Sequence, residues 1–153
     1  MFTKGYLIRA TFLISLLSAS FFAQAEELIM SRVTQTFPET MVNLQSAIIK
    51  TGYKISRVQR VDIGLTKSGF KTDKYRVVFF GKPEEINMLS NNHIDLIPYL
   101  PLKISIFSEN NETILISNNP LSFSGMYNDI PKAIFNRWRD DINTIFKLTK
   151  NAE

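Results

Sequence analysis

The sequence predicts an α+β domain, a mostly antiparallel sheet with amphipathic helices packed on it. Three observations carry that prediction. Phe37, Met41, Leu44 and Ile48 recur at helical spacing, as do Ile130, Ile134, Trp138, Ile142, Ile145 and Phe146. Alternating or doubly apolar runs rich in Val, Ile, Phe and Tyr lie between these helices and read as strands. The polar turn Glu109-Asn110-Asn111-Glu112 joins two such runs as a hairpin.

The elements follow in order. Leu28 to Gln35 is mixed apolar and β-branched and reads as a first strand. Thr36-Phe37-Pro38-Glu39 then offers a capping hydroxyl, a proline in the first turn and an acid that can reach back to the cap, so a helix starts there. Gly52 is its stop, because glycine takes the left-handed conformation that closes a last turn. Tyr53 to Val61 reads as a strand whose alternation breaks at Val58, as a bulge would make it do. Asp62 to Lys74, with Gly64, Gly69 and three lysines, reads as a loop. Tyr75 to Phe80 is apolar on both parities and is expected as a central strand covered on both faces. Pro83 to Ser90 reads as a short helix, with Glu84 and Glu85 suited to its positive end. Leu102, Ile104 and Ile106 alternate with polar residues, and Thr113 to Ser117 returns beside them. Asp129 is the expected cap of a final helix over about residues 129–148. The predicted order is β-α-β-β-α-β-β-α, with no internal repeat and no second domain.

Length and composition agree with one domain. The chain has 153 residues, of which 44% are hydrophobic and 21% charged. Those are values of a globular domain rather than a disordered or collagen-like one. The first 25 residues read as a secretory signal: Lys4 and Arg9 precede an apolar run from Ala10 to Phe22, and Ala23-Gln24-Ala25 supplies the cleavage site. The run is short for a span and carries three serines. Residues 26–153 are thus expected as the mature domain, periplasmic or secreted. With no cysteine there is no disulfide, thiol nucleophile or cysteine-based metal site, and a cysteine-free exported chain fits a bacterial periplasm.

Several stretches resemble a known family. Phe37-Pro38-Glu39-Thr40 leads into Ala47-Ile48 and Gly52-Tyr53. Val77-Val78-Phe79-Phe80-Gly81-Lys82-Pro83 follows, then Leu100-Pro101-Leu102-Lys103-Ile104 and Asn119-Pro120. Together, over roughly residues 30–123, they resemble the Domain of Unknown Function 302 family, with Lys82 where that family usually has Asn. The resemblance implies an α+β domain, often a homodimer, with no established activity and no agreed catalytic residues.

Chemistry-bearing motifs are few. His93 is the single histidine, and with Asp95 it is the one candidate ligand site, as metal ligand or general base. One histidine and no cysteine leave few ways to assemble the three protein ligands of a catalytic zinc, so no metal and no other cofactor is expected. Glu84-Glu85 are explained by the helix dipole and Asp140-Asp141 by a solvated helix face. No serine-nucleophile elbow or phosphate loop occurs.

Charge is the feature that stands out. From Lys50 to Lys82 nine bases face only Asp62 and Asp73, a net +7, whereas residues 26–49 carry −2 and 83–153 carry −3. Arg57, Arg60, Lys67, Lys71 and Lys74 are the candidate anion-binding residues, for a lipid head group, an acidic protein or a small anion. No nucleic acid is expected as a partner. Strand-edge bases also guard against aggregation, so the cluster has a purely protective reading too. Two functional readings stay open: a non-enzymatic binding or accessory protein acting through segment 50–82, and a small-molecule carrier or enzyme using an apolar pocket near His93.

Overall fold

Five strands form a single sheet: β1 (Leu28–Val33), β2 (Lys54–Arg60), β3 (Tyr75–Gly81), β4 (Leu102–Glu109) and β5 (Glu112–Asn118). Their order is β1-β5-β4-β3-β2, and every neighbouring pair is antiparallel. The computed structural model describes residues 27–152, so the secretory segment expected over residues 1–25 lies outside the described residues. Among the described residues five helices accompany the sheet: α1 (Phe37–Lys50), α2 (Val61–Lys67), α3 (Pro83–Asn92), α4 (Leu121–Ser124) and α5 (Lys132–Lys150), with a 3-10 segment at Ile94–Tyr99. The expected α+β architecture is present.

Local chemistry sets the boundaries. The Thr36 backbone N–H and hydroxyl both donate to the Glu39 carboxylate, at 3.1 and 2.7 Å, which starts α1. Gly52 closes it at φ +83. The alternation break in β2 is a register shift between Ile55 and Arg57. Asn110 and Asn111, at φ 49 and 67, supply the two left-handed residues of the β4–β5 turn.

α1 and α5 pack against each other and cover one face of the sheet. On that face Val78, Phe80, Ile104, Ile106 and Leu115 meet Leu44, Ile48, Ile142 and Ile145, all fully buried. Stacked and edge-on rings of Tyr99, Phe123, Tyr127, Phe135 and Trp138 fill the end of this layer.

Four local expectations change. The loop expected from Asp62 begins instead as helix α2, because Asp62 sits in its first turn and the Arg76 guanidinium holds its carboxylate. β3 is an interior strand, paired with both β2 and β4, but it is not covered on both faces: Val78 and Phe80 are buried on one. Tyr75, Val77 and Phe79, on the opposite face, are partly buried because α1 and α5 lie on the other side. The last helix starts after Pro131, not at Asp129, whose carboxylate is turned to His93. The stretches between α3 and β4 and between β5 and α5 are also helical in part, as the 3-10 segment and α4.

Candidate functional site

The candidate basic residues sit on one excursion at the β2 edge: the edge strand itself, α2, and the loop 68–74 that returns to β3. Register divides them. Arg57 is opposite Phe79 and Arg60 opposite Arg76, three residues apart on β3, so the two arginines point to opposite faces of the sheet. Lys67, at the end of α2, and Lys74, at the end of the loop, come together on one depression with Asp62, Thr66, Thr72 and Asp73. Lys71 lies in the loop between them. All five candidates are exposed, and none is ion-paired among the described residues.

Their neighbours are less free. Arg76 holds Asp62, and this guanidinium keeps the Asp62 carboxyl below its ordinary range. Lys74 Nζ and the Arg76 guanidinium lie 5.9 and 5.8 Å from the centroid of the Phe37 ring, so the start of α1 supports both. Further depressions adjoin Asp73-Lys74 toward Phe107–Ser108 and toward the Asn110-Asn111 hairpin tip. Polar side chains line most of these open depressions, in which Lys67 and Lys74 stand beside Asp62, Asp73 and Glu112. An anionic group would meet the two ammonium groups there together with these acids.

His93 and Asp95 do not come together. His93 Nδ1 lies 3.0 Å from Asp129 Oδ2, and Asp95 is exposed, its carbonyl accepting from the Tyr127 hydroxyl at 2.9 Å. His93 lines none of the depressions named above. Among the described residues no three His, Asp or Glu side chains group to hold a metal ion.

Two features escape composition and spacing. The first is a polar network joining the end of α1 to α3 and α5. Arg137 donates to Glu85 and lies 3.7 Å from Asp141. Trp138 Nε1 donates to Glu85 at 3.1 Å, and the Tyr53 hydroxyl donates to Asp141 at 2.6 Å. Burial, together with the Asp141 charge, pushes the Tyr53 hydroxyl far above its ordinary range. Glu85 lies in the first turn of α3, as expected, and is a tertiary tie as well, whereas Asp141 is a tertiary tie rather than part of a solvated face. Both Glu85 oxygens accept hydrogen bonds, and Asp141 Oδ2 accepts from Tyr53. The second feature is Phe70, an exposed aromatic among the candidate lysines. The signal for it was the pair Gly69-Phe70, which repeats Gly52-Tyr53.

Comparison with known proteins places the fold. No curated protein matches the chain. A solved structure described as an uncharacterized conserved protein DUF302 from Bacillus stearothermophilus is similar to it at 20% identity and a TM-score of 0.66, over 83% of this chain and 98% of that one. At that identity the likeness shows the shared fold. The family model for the domain of unknown function DUF302 matches residues 29–147, from the first strand to the last turns of α5, and the chain belongs to that family.

Proposed function

We propose that this protein is a non-enzymatic binding or accessory domain, exported to the periplasm, that recognises an anionic partner through segment 50–82. One observation carries the reading: Arg57, Arg60, Lys67, Lys71 and Lys74 are exposed and, among the described residues, form no ion pair along the β2 edge, while the acids of that segment are few and Asp62 is taken by Arg76. An exposed cation without an ion pair keeps its charge for a partner. Each basic residue near an anionic surface contributes about 1 kcal/mol, fading over a Debye length of ~8 Å at physiological salt. Residues 26–49 and 83–153 carry −2 and −3, so the positive charge of the chain is concentrated in this segment.

The test uses the mature chain with three anionic probes: phosphatidylglycerol vesicles, polyglutamate and inorganic phosphate. Neutral phosphatidylcholine vesicles are the control. Binding to at least one anionic probe is expected at low salt and should fade at about 0.5 M, where screening is strong. The triple reversal K67E/K71E/K74E should abolish it with the melting temperature nearly unchanged. Equal binding to neutral and anionic probes, or no effect of the reversal, overturns the proposal.

A further inference from the structure

Two helices of this chain end in the same way and differ in one respect. At the end of α1 the Gly52 N–H donates to the Ile49 carbonyl at 2.9 Å and the Tyr53 N–H to the Ile48 carbonyl at 3.2 Å. At the end of α2 the Gly69 N–H donates to the Thr66 carbonyl at 3.0 Å and the Phe70 N–H to the Leu65 carbonyl at 3.1 Å. Both glycines are left-handed, at φ +83 and +85. In this closure the residue after glycine ordinarily folds back on apolar side chains of the helix it ends. Tyr53 is buried in that manner, 3% exposed and edge-on to Phe80 at 5.3 Å. Phe70 is 63% exposed. Its backbone is held by the same two bonds, so a largely exposed ring projects from an anchored point of the chain.

Its surroundings are cationic. Lys67 precedes it by one turn, Lys71 follows it, and Lys74 ends the loop. All three are exposed and none is ion-paired among the described residues. Asp73 offsets one charge, which leaves +2 over residues 67–74.

We propose that the Phe70 tip is a membrane-docking element. The ring enters the headgroup region of an anionic bilayer, and the ammonium groups of Lys67, Lys71 and Lys74 stay with the lipid phosphates. This inference rests on the anion-binding reading above and names its partner. A free phosphate would engage the lysines and leave the ring in water. An acidic protein would need an apolar pocket placed to receive one protruding ring. A bilayer opens for a protruding ring anywhere, and it carries the complementary charge at the depth the lysines reach. Lysine stems can lie along the apolar region while their ends remain in the headgroup layer. One ring and a few charges give reversible, salt-sensitive attachment, since firm anchoring takes stronger signals.

The experiment uses the whole mature chain and vesicles of phosphatidylcholine with and without phosphatidylglycerol. In F70W, tryptophan emission should shift to the blue on adding the anionic vesicles and be quenched by brominated acyl chains. Trp138 is buried and contributes a constant background. F70S should bind those vesicles about tenfold more weakly than wild type and bind polyglutamate equally well. K67E/K71E/K74E should lose vesicle binding altogether. If F70S binds vesicles as tightly as wild type, or F70W binds without shift or quenching, the membrane inference falls while the anion-binding reading stands. If F70S weakens polyglutamate binding as much as vesicle binding, the occupant is an acidic protein and the membrane inference is overturned. If the triple reversal changes no anionic binding, the underlying reading falls and takes this inference with it.

Discussion

Tyr53 shows what a single side chain does where three elements meet. Its ring packs edge-on against Phe80, Lys82 Nζ lies 4.8 Å from its centroid, and its hydroxyl donates to Asp141. Burial first, then the hydrogen bond to Asp141 and its charge, favour the protonated phenol. The folded protein thus holds this proton more tightly than the unfolded chain does. The stability this brings is complete below about pH 10, the ordinary tyrosine value, and is lost as the pH rises above it. Urea unfolding midpoints measured from about pH 8 to 11 should therefore fall more steeply for wild type than for Tyr53→Phe. At neutral pH the same substitution removes one hydrogen bond to a charged acceptor, and about 1.5–3 kcal/mol of stability should go with it. Identical slopes for the two proteins would mean that the hydroxyl is not buried on Asp141.

At the scale of the element, α5 carries the heaviest packing. Trp138 is 1% exposed, edge-on to Phe135 at 5.5 Å, and its indole N–H is satisfied by Glu85. Trp138→Ala leaves a cavity and an unmade hydrogen bond together, a change that usually costs about 3–5 kcal/mol. At about 4 °C per kcal/mol for a domain of this size, the melting temperature should drop by about 10 °C or more. A shift under about 3 °C would show α5 to be loosely held. The packing face of α5 was legible from Ile134, Trp138, Ile142, Ile145 and Phe146, because a 3.6-residue period is local. Its start was not. Asp129 looked like a cap, and its carboxylate went instead to His93, which lies 36 positions earlier in the chain. Likewise α2 looked like a loop, since its glycine and short length hide a helix that the long-range Asp62–Arg76 pair supports.

For the molecule as a whole, charge and export are the open quantities. The asymmetry of charge along the chain is a property of composition, and folding gathers most of the basic segment at the β2 edge. The exported protein is expected to begin at Glu26, following the Ala23-Gln24-Ala25 site. Intact-mass analysis of protein recovered from the periplasm checks this, and a mass retaining Met1 would contradict it. Among the described residues no helix is long and apolar enough to cross a membrane. The attachment to a bilayer proposed above is assigned to the loop surface and its salt-sensitive charges.

The sequence by itself determined the α+β class, the β4–β5 hairpin, the ends of α1 and the two periodic helices, together with the family resemblance. The elements rest on patterns within about twenty residues, where spacing and turn chemistry act directly, and the resemblance on a succession of such short motifs. Only the tertiary structure decided which charged groups are free. It tied Asp62 to Arg76, Glu85 to Arg137 and Trp138, and His93 to Asp129, and among the described residues it left Lys67, Lys71 and Lys74 without an ion pair. It also separated two Gly–aromatic pairs that are alike in sequence, burying Tyr53 and exposing Phe70. The physical reason is the same in each case. A pairing or a burial depends on what distant segments bring alongside, and no local pattern records that.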